Sequence, residues 1–201
     1  MIRLLLVATL LSATALGISG CAKTSYVDPN GDDLVVSPGR MNIEDWSMLA
    51  DQVVQDLLAS GVLARYGNSG QPAGAMLGQL QNNTGESFDG DAILTKIRIA
   101  LLQTGRVQVI TTGGVGVAAE DPIAQRAKER QRLAPGLGNP LEDVPQITIQ
   151  SKIFRDQVKA QGQLQTAYFL QMKLTDTATG RAVWEGEAKI AKRGNKASIG
   201  I

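Results

Sequence analysis

The chain has 201 residues, of which 20 are basic and 19 acidic, with one cysteine and no histidine. The absence of histidine excludes a Ser-His-Asp triad and the commonest metal ligands, and a single cysteine cannot close an intrachain disulfide. A chain this close to neutral offers no excess of positive charge for nucleic acid, and an aromatic content of 4% disfavours a stacking platform for sugars or nucleobases.

The first twenty residues have the pattern of a lipoprotein signal peptide. Arg3 precedes the uncharged and mostly apolar stretch 4–16, which is too short to span a bilayer comfortably as a helix. The sequence ISGC, which ends at Cys21, resembles a bacterial lipobox, a signal in which cleavage precedes the cysteine and the thiol is acylated. We therefore expect residues 1–20 to be removed and Cys21 to carry lipid. An ordinary secretory signal that happens to contain a free cysteine is the alternative.

A flexible tether is predicted between the lipid and the folded part of the chain. Residues 22–40, AKTSYVDPNGDDLVVSPGR, hold two prolines, two glycines and three aspartates without a sustained hydrophobic period. Alanine in place of aspartate at position 22 is typical of lipoproteins sent to the outer membrane. The sequence therefore predicts a lipidated tether over residues 21–41, at the periplasmic face of the outer membrane.

Three helices are predicted from apolar spacing and capping residues. The first follows Asn42, has apolar residues recurring every three or four positions, and ends before Gly61. The second covers 92–104, with Asp91 as its N-cap. The third covers 122–133 after an Asp-Pro pair. Because the third helix has little apolar surface, we expect it to lie on the surface of the domain.

Strands dominate the last third of the chain. Two short strands are predicted earlier, at 73–82 and 106–112, the first weakened by its glycines. Clean alternation of apolar and polar residues then predicts three longer strands, at 146–158, 163–176 and 181–193. One apolar and one polar face imply an antiparallel meander with helices on a single side. The predicted fold class is thus α+β, a small antiparallel β-sheet with helices packed on it, over residues 42–201.

Three stretches could indicate an enzyme, and each has a simpler interpretation. Residues 114–119 match the dinucleotide pattern G-x-G-x-x-A, but Asp121-Pro122 restarts the helix beyond the glycines, which favours a flexible connector. Glu185 and Glu187 are neighbours on one strand face and cannot flank a glycosidic bond from opposed sides, which favours a charged outer surface. Ser198 and Lys196 could form a catalytic Ser-Lys pair, but they lie near the C-terminus, where we expect the chain to fray.

A basic run is the remaining candidate for a binding function. Residues 126–132, RAKERQR, fall in the third predicted helix and carry four basic side chains and one acidic one. Such a run is most often a solvated helix face, with an anion-binding patch as the alternative.

Two stretches, FDGDAILTKIRIALLQTGRVQVI and YFLQMKLTDTATGRAVWEGEAKIAKRG, point to a family. They resemble the LpoB-type lipoproteins, outer-membrane activators of a bifunctional class A penicillin-binding protein, and the resemblance extends over roughly residues 42–195. Asn83-Thr84, after the first strand, also fits. The positions in the family's spacing are Asp91, Ala92, Ile97, Arg98, Ala100, Leu101, Leu102, Gly105 and Arg106, then Met172, Lys173, Leu174, Asp176, Thr179, Gly180, Trp184, Glu187, Ile190 and Lys192.

The resemblance implies a domain related to the N-terminal domain of TolB and a role without catalysis. It implies docking onto a small regulatory domain of a class A penicillin-binding protein, which stimulates glycan polymerisation and cross-linking, with no cofactor, metal or small-molecule substrate. A structural lipoprotein of an envelope assembly or secretion complex is the main alternative, and an enzyme the third. Polar residues within the matched motifs are the candidate partner contacts: Asn82, Asn83, Thr84, Arg106, Glu187 and Lys192.

Overall fold

A computed structural model describes residues 28, 36–67, 71–111, 121–133 and 145–195 of the chain. The described residues from Val36 onwards belong to one compact unit. The regions outside the described residues include the proposed signal peptide, Cys21 and most of the predicted tether, residues 21–27 and 29–35. They also include the glycine-rich stretch 114–119 and the pair of Ser198 and Lys196. None of the described helices is both long and apolar enough to cross a bilayer.

Helix α1 spans Ile43–Ala59 and begins where the sequence predicts. Asn42 is its N-cap. The backbone N–H of Asn42 donates to Oδ2 of Asp45 at 2.7 Å, as in a capping box, so this N–H has a hydrogen-bond partner where the helix begins. Leu49, Val53 and Leu57 are fully buried. A short 3₁₀ turn, Val62–Arg65, follows Gly61, whose positive φ of 68° suits glycine.

Helix α2 spans Gly90–Gln103, and its start corrects the prediction from sequence. The N-cap is Asp89, whose Oδ1 accepts from the backbone N–H of Asp91 at 2.9 Å, so that Asp91 lies in the first turn and not before it. Both aspartates suit a helix N-terminus, because an acidic side chain there also interacts favourably with the helix dipole. Ile93, Ile97 and Leu101 give the helix its buried face.

Helix α3 spans Pro122–Leu133, as predicted. Oδ1 of Asp121 accepts from the backbone N–H groups of Ile123 and Ala124, at 3.0 and 2.9 Å, and so caps its first turn. The side chains described for this helix are exposed or half-buried, and none belongs to the hydrophobic core. The expected surface position is confirmed.

Six strands form one mixed sheet in the order β3-β1-β4-β5-β6, with β2 also paired to β4. The long strands β4, β5 and β6 form the predicted antiparallel meander. Strand β1 pairs in parallel with β3 and with β4, and β2 pairs in parallel with β4. The sequence did not predict this parallel pairing. The strands are Ala73–Leu77 (β1), Gln81–Asn83 (β2), Val107–Val109 (β3), Ile147–Ala160 (β4), Gln163–Asp176 (β5) and Ala182–Asn195 (β6).

The predicted strand 73–82 is divided into β1 and β2, which pair with successive parts of β4. Gly78 lies at the break, and its N–H donates to the carbonyl of Ile149 at 2.9 Å. A Cβ at this position would lie 2.4 Å from Nε2 of Gln150. Glycine therefore lets the chain pass close to β4 at the point where it changes register.

The core lies on one side of the sheet, which we call the inner face. Helix α1 packs on β5 and β6, and α2 packs beside α1. Alternate residues of the meander point inward, in the register Leu174–Trp184, Met172–Gly186 and Leu170–Ala188. The fully buried members from β4 and β5 are Ile147, Ile149, Ile153, Tyr168, Leu170, Met172 and Leu174.

Candidate functional site

The six predicted contact residues fall in three separate places. Asn83 and Glu187 lie on the side of the sheet opposite the core, which we call the outer face. Arg106 is exposed at the start of β3, near the other edge of the sheet, where its carbonyl accepts from the N–H of Ala73 at 2.8 Å. Asn82, Thr84 and Lys192 belong to a polar cluster at the end of the core.

Lys192 is not exposed as expected. It follows Ile190 in the inward phase of β6, and its Nζ contacts Oδ2 of Asp45 at 2.5 Å, with side-chain exposures of 10% and 9%. The same ammonium donates to the carbonyl of Arg40 and lies 5.6 Å from the centre of the Tyr168 ring. The position of Lys192 is that of a structural ion pair, which joins β6 to the beginning of α1.

Thr84 is also buried, with 4% of its surface exposed. Oδ1 of Asn82 accepts from both the N–H and the hydroxyl of Thr84, at 3.1 and 2.7 Å, while Nδ2 donates to the carbonyl of Glu86 at 2.9 Å. These bonds satisfy the side chain of Asn82 within its own turn. The two residues therefore shape the turn. Both were expected to be exposed, and this expectation is wrong for Thr84.

Glu86 lies in the same turn, and its side chain contacts Tyr168 at the end of the core. Its Oε1 accepts from the hydroxyl of Tyr168 at 2.6 Å and from Arg155 at 2.7 Å, and its Oε2 accepts from the N–H of Met41 at 2.9 Å. Partial burial by itself would raise the pKa of Glu86, but the bonds from Tyr168, Met41 and Arg155 outweigh it and lower the pKa below 4.5. Burial, followed by the Glu86 carboxylate, raises the pKa of Tyr168. Glu86 therefore stays ionised and holds the N-terminal segment on the sheet.

The outer face carries side chains in rows that run across the strands. One row contains Gln81, Lys152, Gln171 and Glu187. Within it, Nε2 of Gln171 donates to Oε2 of Glu187 at 2.8 Å. The row and its neighbours line an open groove of about 610 Å³. A polar groove of this breadth, in which Gln81, Gln171 and Glu187 are exposed among the described residues, is suited to contact with another molecule.

The next row places two aromatic rings in the middle of this polar surface. Phe154 and Phe169 face each other across β4 and β5, with ring centroids 4.8 Å apart and planes within 7° of parallel. Nζ of Lys152 lies 5.7 Å from the first ring and Nζ of Lys189 lies 5.9 Å from the second. Asn83 completes the row on the side of β2. Half-buried aromatic rings ringed by charges are the usual anatomy of a protein-binding surface.

A third row shows both signs of charge without internal pairing. Lys173 faces Glu185 across β5 and β6, and both side chains are exposed. The ion pairs of Arg155 with Glu86 and of Lys192 with Asp45 involve neither member of this row. The two exposed charges of this row can therefore contact a partner.

The residues that sequence reasoning missed had a detectable signal. Phe154 and Phe169 occupy the outward, polar phase of their strands, so each is an aromatic residue out of phase with the core pattern. Lys192 has the opposite signal, a charge in the inward phase set by Ile190. Counting which residues of each strand point inward would have placed Phe154 and Phe169 on the outer face and Lys192 towards the core.

Two of the arrangements considered for an enzyme can be compared with the described residues. They contain no group of three or more Asp, Glu or Cys residues able to hold a metal ion. Glu185 and Glu187 are both exposed on one face of β6, the geometry expected of a charged surface and not of opposed acid and base.

Comparison with known proteins assigns a family. The model of the family described as peptidoglycan-synthase activator LpoB matches residues 45–190. A search of curated protein sequences returned no match.

Several solved structures are similar. The LpoB C-terminal domain from Salmonella enterica is 19% identical, with a TM-score of 0.44, over 73% of this chain and 98% of that one. The LpoB C-terminal domain from Escherichia coli is 18% identical, with a TM-score of 0.45, over the same shares of the two chains. Lipoprotein GNA1162 from Neisseria meningitidis is 15% identical, with a TM-score of 0.39, over 64% of this chain and 88% of that one.

Proposed function

Because the chain belongs to the LpoB family of peptidoglycan-synthase activators, we propose that it is a lipid-anchored, non-catalytic activator of a class A penicillin-binding protein. In this proposal residues 1–20 are a signal peptide, Cys21 carries the lipid, and a tether connects the outer membrane to the folded domain. The domain binds the synthase in the periplasm and stimulates glycan polymerisation and cross-linking.

The observation that supports a binding role is the outer face. Its polar rows and its stacked phenylalanines lie on the side of the sheet away from α1 and α2, and their side chains are exposed or half-buried. We propose that this face, with Asn83 and Glu187 among its residues, contacts the synthase. Arg106 stays a separate candidate contact near β3, since it lies on a different part of the domain.

The test is a polymerisation assay with purified class A synthase from the same cell and the chain from residue 22 onwards. We expect the wild-type chain to accelerate glycan polymerisation. The double variant Glu185→Lys/Glu187→Lys, which inverts two exposed charges of the outer face, should lose most of this acceleration. The matched control is Asp51→Lys/Asp56→Lys, which inverts two exposed charges of α1 and should act as wild type.

Two outcomes would contradict the proposal. If the wild-type chain accelerates no class A synthase, the function as activator is wrong for this protein. If the outer-face variant activates as well as the control does, the function stands but the docking surface lies elsewhere. Recovery of the chain only in rings of itself, measured by sizing, would instead favour a structural lipoprotein of an envelope assembly.

A further inference from the structure

Helix α3 concentrates positive charge on a chain that is otherwise acidic. From Cys21 onwards the chain holds 19 basic and 19 acidic residues. Residues 122–133 contain four of these basic residues and one of the acidic ones, which leaves the remainder with three more acidic residues than basic ones. The charge is therefore divided, with the helix carrying a net +3 and the rest of the chain the opposite.

The helix makes little use of its side chains in the fold. One bond at its start is from the backbone N–H of Asp121, which donates to the carbonyl of Thr111 at 3.0 Å, and none of its described side chains belongs to the hydrophobic core. Ile123 is 79% exposed, and Arg126 and Arg130 are exposed. A helix that is polar nearly all round and packs few side chains gains little stability from the core, so its charge pattern calls for another explanation.

The exposed isoleucine and the arginines share one side of the helix. Ile123, Arg126 and Arg130 are spaced at i, i+3 and i+7, which places them on the same face. Arginines on one exposed helix face can contact the phosphates of an anionic bilayer, and a single apolar side chain beside them can enter the headgroup layer, so the contact would be mainly electrostatic.

We propose that α3 binds the surface of an anionic phospholipid bilayer and provides the domain with a second, electrostatic membrane contact. The inference rests on the proposed function, because the lipid on Cys21 would bring the domain to a membrane. The chain from Cys21 to Val36 spans at most about 55 Å, so the helix stays within reach of the bilayer that holds the anchor. The acidic remainder of the domain is repelled from that surface, which orients α3 towards it.

The experiment measures co-sedimentation of the chain from residue 22 onwards, without lipid, with vesicles of two compositions. We expect binding to phosphatidylcholine vesicles that contain phosphatidylglycerol, weakening as salt is raised, and no binding to phosphatidylcholine alone. The variant Arg126→Gln/Arg130→Gln should lower the partition coefficient roughly 30-fold, at the usual contribution of a basic residue near an anionic bilayer. The matched control Arg65→Gln/Arg181→Gln removes two exposed charges elsewhere and should bind as wild type.

Three results would overturn the proposal: equal binding to both vesicles, an α3 variant that binds like the control, or capture by peptidoglycan sacculi and not by vesicles. In the last case the helix would recognise the anionic cell wall. The variant is also assayed with the synthase in detergent without vesicles, where it should activate as wild type. Failure of vesicle binding with normal activation disproves only the membrane contact, whereas failure of activation by the wild-type chain disproves the function.

Discussion

The ring of Phe154 is stacked on the ring of Phe169, with centroids 4.8 Å apart, on the face of the sheet turned away from the core. An aromatic pair in this setting keeps part of its surface in contact with water, and a partner that covers it removes that surface from solvent. The pair is therefore expected to contribute more to binding than the polar residues around it.

Replacing both rings, Phe154→Ala/Phe169→Ala, should weaken binding of the synthase roughly 30-fold or more, because truncated aromatic residues at the centre of an interface typically cost about 2 kcal/mol or more. Binding is measured by surface plasmon resonance with immobilised synthase. The matched control is Ile99→Ala/Leu102→Ala, two exposed apolar residues of α2 at 45% and 46% exposure. Equal loss of affinity in both double variants would argue against a docking role for the ring pair.

The ion pair of Lys192 and Asp45 is expected to be a strong determinant of stability. Lys192→Met leaves the Asp45 carboxylate buried without its partner, and such changes cost about 3 kcal/mol or more. Urea unfolding followed by circular dichroism measures the loss. The double variant Asp45→Asn/Lys192→Met should recover part of it, while Lys159→Met, an exposed lysine at the end of β4, should stay within about 0.5 kcal/mol of wild type. Additive losses in the double variant would show that the two groups do not act as a pair.

Acid should unfold the domain partly through Glu86. Its pKa in the folded protein is lowered, so the stability that it contributes is fully present above 4.5 and is lost as pH falls through the lower, folded value. Free energies of unfolding measured from about pH 7 to about pH 3 should therefore fall less steeply in Glu86→Gln than in wild type. The same change in Glu187, which is exposed and lies on the outer face, serves as the control. Parallel pH profiles for wild type and Glu86→Gln would refute this role.

Gly186 is expected to tolerate no side chain. A Cβ there would lie 2.4 Å from two atoms of the Trp184 ring, which covers the glycine on the inner face. Gly186→Ala forces the indole to move and should cost about 1–3 kcal/mol of stability, as overpacking does. Tryptophan emission in a Trp46→Phe background reports on Trp184 alone, since the chain has two tryptophans. Ala191→Ser, an exposed addition of one atom on the same strand, is the control, and an equally small effect of both changes would show that the indole is not confined.

The parts of the fold that local sequence determines were predictable. Alternation with a period of two predicts the meander, and capping residues mark the starts of α1 and α3. The parallel pairing of β1 and β3 was not predictable in the same way, because it depends on a crossover through α2 and on contacts far apart in sequence. The division of the strand at Gly78 accompanies a change of register against β4, which no local pattern reveals.

For the candidate contact residues, the sequence identifies individual positions better than it identifies their environment. Asn83 and Glu187 lie on the outer face, where the rows of the three long strands could be counted from their phase. Thr84 and Lys192 were expected at the surface because they are polar, but the structure gives both of them polar partners. Thr84 bonds to Asn82 within its own turn, whereas Lys192 pairs with Asp45, which is distant in sequence at the start of α1. Polarity alone does not report burial when a partner of opposite charge is folded against it.

The segment that leads into α1 is bound to the rest of the domain before the helix begins. Gly194 lacks a Cβ where the ring of Pro38 approaches it, the carbonyl of Arg40 accepts from Lys192, and the N–H of Met41 donates to Glu86. If Cys21 carries the proposed lipid anchor, a force transmitted along the chain would reach these contacts before it reached the hydrogen bonds of α1. The contacts of Pro38, Arg40 and Met41 would then have to break before α1 began to unfold.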